Sequence, residues 1–201
     1  MTAILQFKIT LKDTGKPRVW RMINLPDTVS FHAFHRIIQA AFGWKNRHLY
    51  AFSPTGWDSV PFIAMPSREN MRTENIIDAR HILLRNIFTN PGQRFTYMYD
   101  FGDEWEHRIT LEQVIEAAED LICCTDGRGN CPPEDCGGIA GYRELKYLFA
   151  SGQPLTKYAR DIRKLFGWKK GECWNADAFD LEAANRRIVE VLLACDARPG
   201  V

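Results

Sequence analysis

Three groups of residues have types and spacings that could do chemistry. The densest is a set of cysteines. Cys123, Cys124, Cys131 and Cys136 fall within one Gly- and Pro-rich stretch, while Cys173 and Cys195 stand apart. Such a stretch has no apolar core of its own, and a tetrahedral Zn2+ with thiolate ligands at about 2.3 Å would tie it down. A structural Zn2+ on Cys123, Cys124, Cys131 and Cys136 is therefore the cofactor the sequence suggests. Its fourth ligand is either the second of the adjacent pair, a distant cysteine or a histidine. The spacing is not the paired Cys-x-x-Cys of zinc ribbons, and reduced, half-buried thiols or an adventitious disulfide explain the same residues.

The second group places Asp100, Asp103, Glu104, Glu106 and His107 close together. Carboxylates beside an imidazole suit a divalent ion and hydrolysis. Strand parity opposes the simple version: His107 shares a face with Trp105, Ile109 and Leu111, and the glutamates face the other way. A core histidine hydrogen-bonded to a neighbour is the plainer reading. The third group is Glu134 and Asp135, after Pro132-Pro133 and just ahead of Gly137-Gly138. Two acids beside such a turn could meet a ligand, and could equally cap nearby backbone. If the chain is an enzyme, Asp100, Asp103, His107, Glu134 and Asp135 are its catalytic candidates, in a metal-dependent hydrolase. His32, His35 and His48 cluster in sequence, but no His-Glu-x-x-His helix is present to make them a metal motif. Asp100-Phe101-Gly102 lacks the companion motifs of a kinase and reads as a turn.

These residues need elements to hold them. Leu5, Phe7, Ile9 and Leu11 alternate with polar residues, which predicts a strand over 4–12 with one buried face. Asp13 to Pro17 is a turn, and Arg18 to Leu25 returns as a second strand in which Val19, Ile23 and Leu25 share a face with Arg21. A charge at core parity needs a carboxylate or carbonyl partner, and an ion pair of Arg21 with Asp100 or Asp103 is the expected one. Ser30 caps a helix to Phe42, with Phe34, Ile37, Ile38 and Ala41 at helical spacing and Gly43 as its stop. His48 to Phe52 and a short stretch around Phe62 read as strands, and Ile76–Phe88 as a short helix in preference to a strand. A hairpin over Arg94–Phe101 and Glu104–Val114 follows, then the cysteine loop and helices at Tyr142–Ala150, Tyr158–Phe166 and Leu181–Ala194. The predicted fold class is α+β: a single domain over 1–201, with a mixed, mainly antiparallel sheet from two hairpins, one packed helix and a helical C-terminal section.

The 201 residues are 45% apolar and 25% charged, with a net charge of +1. That excludes disorder and any general electrostatic grip on nucleic acid. Arg160, Arg163, Lys164, Lys169 and Lys170, interleaved with aromatics, are the local exception, offering a protein or nucleic-acid partner a surface. No run of residues is long and apolar enough to span a membrane, and the start does not resemble a signal peptide. A cytoplasmic protein with reduced cysteines and no membrane partner is expected.

Several blocks occur together in order: Trp20-Arg21; Phe34-His35 through Gly43-Trp44, with His48 and Phe52; Tyr97 through Trp105 and His107; Cys131-Pro-Pro-Glu-Asp-Cys-Gly-Gly138 with Gly141-Tyr142; and Phe179-Asp180 with Asn185. Over roughly residues 4–188 they resemble the plasmid pRiA4b ORF-3-like family, also known as insertion-element passenger proteins. The resemblance implies an α+β domain of prokaryotes and their mobile elements, and no established reaction comes with it. A non-enzymatic binding or adaptor module linked to plasmid or mobile-element functions is the expected function, and the metal-dependent hydrolase is the alternative. Convergence of those acids with a histidine around one open pocket, with a water-accessible metal, would favour the hydrolase. A buried Arg21–carboxylate pair, a core-facing His107 and a closed cysteine site would favour the binding module.

Overall fold

Residues 2–57, 59–66, 76–119, 121–150, 156–169 and 174–196 are described by a computed structural model. The alternation near the N-terminus becomes strand β1 (Thr2–Leu11), with Leu5, Phe7, Ile9 and Leu11 all buried. It pairs antiparallel with β2 (Trp20–Pro26), setting Ile9 opposite Arg21. Helix α1 (Phe31–Phe42) starts where Ser30 Oγ accepts the Ala33 N–H. It ends where Gly43 turns left-handed at φ 92° and its N–H reaches the Gln39 carbonyl, a conformation that only glycine adopts without cost. Phe31, Phe34, Ile37, Ile38 and Ala41 form the stripe that packs on the sheet. There Phe34 lies 5.0 Å from Phe7 and Phe31 lies 5.1 Å from Phe52, ring centre to ring centre.

The remaining strands are β3 (Tyr50–Ser53), β4 (Phe62–Ala64), β5 (Ile76–Asp78), β6 (Arg94–Tyr99), β7 (Trp105–Ala117) and β8 (Cys123–Arg128). They join β1 and β2 in one eight-stranded sheet of order β5-β4-β3-β6-β7-β1-β2-β8, parallel only between β4 and β5. Helices α2 (Gly138–Leu148), α3 (Lys157–Leu165) and α4 (Leu181–Asp196) follow. The fold class is α+β, as expected, with a mixed and mainly antiparallel sheet.

Two elements differ from expectation. Ile76–Phe88 is not a helix: β5 is followed by a single 3-10 turn at Leu84–Asn86. The apolar run there is short and pairs with β4, so sheet contacts override its local preference. The first half of the cysteine stretch is strand β8 rather than loop, because β2 has a free edge to fill. Asn185 of α4 holds that edge strand, accepting the Cys124 N–H and donating to the Cys124 carbonyl, both at 2.9 Å.

Arg21 is buried at 2% exposure, as its parity implied, but without a carboxylate. Its guanidinium donates to the carbonyls of Trp20, Ala41, Arg128 and Gly129 and lies between the rings of Phe42 and Phe179. The expected ion pair with Asp100 or Asp103 is therefore replaced by four backbone acceptors. Both aspartates sit at the far end of β6, where the 100–104 turn carries them away from β2.

Candidate metal centre

The β3–β6 register builds the site. Tyr50 lies opposite Tyr99, and the ladder runs one step further, with the Asp100 N–H donating to the Leu49 carbonyl at 2.9 Å. Asp100 is thereby fixed beside His48, the residue before Leu49. Its Oδ1 is occupied by the N–H groups of Gly102 and Asp103, which leaves Oδ2 pointing at the imidazole.

The segment after the prolines is tied across the same spot. Trp44 Nε1 donates to the Pro132 carbonyl, and the Lys45 N–H donates to Glu134 Oε1 at 2.6 Å. Tyr99 Oη donates to the Glu134 carboxylate and accepts the Arg47 N–H. Asp103 Oδ2 accepts the Gly137 N–H, which anchors the start of α2. Asp103 is thus a structural brace, while Glu134 and Asp135 are delivered to His48.

His48 Nε2 lies 3.0 Å from Asp135 Oδ1, 3.5 Å from Glu134 Oε2 and 3.6 Å from Asp100 Oδ2. The nitrogen is buried, yet none of the three contacts has hydrogen-bond geometry. One donor atom each from His48, Asp100 and Asp135 lies within 4.8 Å of the others, a spacing that suits ligands of a single cation. The Asp100 and Glu134 side chains are 11% and 9% exposed against 59% for Asp135, so the centre is closed on one side and opens past Asp135. Four of the described non-glycine residues with positive φ, Asn46, Asp100, Glu104 and Asp135, sit in the turns that form it. Such conformations cost about 1 kcal/mol or more each and concentrate where a site must be shaped.

A cleft of about 750 Å3 runs from this opening, walled by Glu134, Asp135, Lys45, Arg47 and Arg187 and by Trp168, Trp174 and Phe179. A second hollow of about 720 Å3 contains Asp103, Glu104 and Glu106 but lies over the opposite face of the sheet, beside Met98 and Trp57 and away from His48.

The structure therefore brings Asp100, Glu134 and Asp135 together and leaves out His107. That ring is fully buried, with Nδ1 near the carbonyls of Trp105 and Tyr97 and Phe42 and Trp44 edge-on to it. Burial pushes its pKa down to about 3. The core-side reading from strand parity holds. The histidine of the site is His48, which the sequence offered only as one of a cluster. His35 is also structural: it joins Tyr97 Oη to Asn46 Oδ1, at 2.8 and 2.7 Å, and so steadies the loop leading to His48.

The four cysteines do not share a point: among the described residues, no three of their sulfurs approach within 4.8 Å of one another. Burial pushes the Cys124 thiol up to about 11 and the Cys136 thiol up to about 12, and holds Cys131 well above its usual value. Cys173 lies outside the described residues. Of the basic group, Arg160 and Lys164 are exposed and Arg163 half-buried on α3, with Lys169 just beyond it, and Lys170 is outside the described residues. Among the described residues no helix is long and apolar enough to cross a membrane.

An eight-stranded α+β sheet with a histidine–carboxylate centre at one end defines the class. The chain belongs to the plasmid pRiA4b ORF-3-like protein family, whose sequence profile matches residues 3–183. It is 37% identical over 147 residues to the uncharacterized protein y4hQ of Sinorhizobium fredii (strain NBRC 101917 / NGR234), covering 72% of each chain. The crystal structure of MM3350, a protein of unknown function from Methanosarcina mazei Go1, superposes with a TM-score of 0.73 over 90% of this chain and 97% of that one. At 24% identity, that likeness speaks for the fold.

Proposed function

We propose that the chain is a divalent-metal-dependent hydrolase with His48, Asp100 and Asp135 as metal ligands. The observation that carries this reading is the buried His48 nitrogen, surrounded by three carboxylate oxygens at 3.0–3.6 Å and hydrogen-bonded to none. Three oxygens crowded around one ring nitrogen repel one another, and a cation among them relieves that repulsion. One imidazole with carboxylates suits Zn2+ or Mn2+, and three protein ligands leave a position for water. A bound cation lowers the pKa of such a water to near neutrality. Glu134, whose Oε1 accepts the Lys45 N–H and whose carboxylate accepts the Tyr99 hydroxyl, would be placed to take a proton from a water there. In such a hydrolysis the water's oxygen would bond to the electrophilic centre as the bond to the leaving oxygen breaks, and Glu134 would pass the proton to that oxygen. Asp100, Glu134 and Asp135 gathered about His48 beside an open cleft support this reading over an adaptor role, although His107 faces the core as the adaptor reading expected.

Metal content after purification without a His-tag or added metal, with Mn2+ and Zn2+ titrations, tests this. One equivalent is expected in wild type and in Cys131→Ser/Cys136→Ser, and none in His48→Ala or Asp100→Asn. No binding in wild type, or loss confined to the cysteine variant, would overturn the reading.

A further inference from the structure

The cleft leading to the centre gathers four cations beside three acids, two of which are turned to His48. Arg21, Lys45, Arg47 and Arg187 all line it, and among the described residues none has a carboxylate within 4.0 Å. Two of these charges are not ordinary surface cations. Arg21 is buried between Phe42 and Phe179, and Arg187 is half-buried, with its Nε donating to the Ala40 carbonyl. Burial lowers the pKa of both, Arg21 to about 10, so Arg21 remains charged at neutral pH. Carbonyl acceptors satisfy hydrogen bonds but do not neutralise a charge, and a buried charge without a counter-charge is costly. The acids on the same wall are Glu134 and Asp135, which face His48, where a metal would neutralise them, and Asp180, whose Oδ1 accepts the Ala183 N–H at the start of α4. Among the described residues Lys45 and Arg47 are left without an acid of their own, and an anion in the cleft would answer them.

The rest of the lining states what else that anion carries. Trp168, Trp174 and Phe179 wall the cleft beside the cations, with Trp168 and Trp174 nearly parallel at 12°. Aromatic faces next to guanidinium and ammonium groups bind a flat ring by stacking and its charge by pairing. The volume suits a ligand of nucleotide size.

We infer that the cleft binds a mononucleotide, its base against the aromatic wall and its phosphate on Lys45, Arg47 and Arg187 beside the His48 centre. The inference rests on the metal-dependent reading for the fate of that phosphate, and on the cleft alone for binding. Lys45 and Arg47 are the residues to change, because both are exposed and only their backbone N–H groups hold the site together.

Calorimetric titration of the full chain with the four ribonucleoside monophosphates, in EDTA and in Mn2+, tests it, with adenosine and inorganic phosphate as partial ligands. At least one nucleotide is expected to bind about ten-fold or more tightly than either partial ligand. Lys45→Gln/Arg47→Gln weakens it about ten-fold, whereas Arg108→Gln, the same loss of charge on the exposed face of β7, leaves it unchanged. Failure of all four nucleotides in both conditions, or equal binding of phosphate alone, would overturn the inference. Mn2+ titration without nucleotide reports separately on the centre: nucleotide binding without metal binding overturns the hydrolase and leaves the nucleotide cleft, and the reverse result does the opposite.

Discussion

Among single residues, the buried histidines separate structure from chemistry. His35 and His107 are both held at about 3 by burial, against the ordinary imidazole value of 6.5. The folded state therefore favours their neutral form. Their contribution is complete above about pH 6.5 and is lost as pH falls from there toward 3, where the unfolded chain takes up protons that the folded chain refuses. Urea unfolding followed from pH 7 to 4 should show falling stability, and His107→Phe should flatten part of that slope. An unchanged slope in the variant would show that His107 is not neutral in the folded chain. Arg21 teaches the complementary point. Parity announced a buried charge at that position, but parity says nothing about whether a carboxylate or a carbonyl meets it, and the four carbonyls come from β2, α1 and the end of β8.

Among elements, the turn carrying Glu134 and Asp135 depends on one glycine downstream. A Cβ at Gly141 would lie 1.6 Å from the Cys136 carbonyl oxygen, so only glycine lets α2 begin directly beneath that turn. Gly141→Ala forces the turn to move, and Asp135 moves with it. Overpacking of this kind costs about 1–3 kcal/mol. Metal affinity should fall about ten-fold or more, as a misplaced ligand would require, while far-UV circular dichroism at 20 °C stays that of the wild type. Unaltered metal binding would mean that Asp135 is no ligand. Strand β8 shows why this region was misread as loop. Its residues, Cys-Cys-Thr-Asp-Gly-Arg, carry little strand preference. They pair because β2 offers an open edge and Asn185 clasps the far side, two partners distant in sequence.

For the whole molecule, the centre joins three separate parts of the chain: the loop before β3, the turn after β6 and the segment before α2. A cation that bridges them binds only the folded state and so stabilises it. At a concentration 100 times its Kd, the gain is about 2.7 kcal/mol. For a chain of this size that corresponds to a rise in Tm of about 5–10 °C. Thermal unfolding with and without Mn2+ should show that rise in wild type and in Cys131→Ser/Cys136→Ser, and not in His48→Ala. The sequence by itself determined the buried faces of β1, β2 and β7, both ends of α1, the three later helices and the core placement of His107. Each of these follows from a period of two or of three to four residues, or from a cap a few residues away, and such signals are local. Only the tertiary structure decided which histidine meets which acids, that Asp103 braces α2 while Asp100 faces the site, and that the cysteines lie apart. Those outcomes depend on strand register and on one segment crossing another, and the energies that select them come from contacts between residues that composition and spacing never place side by side.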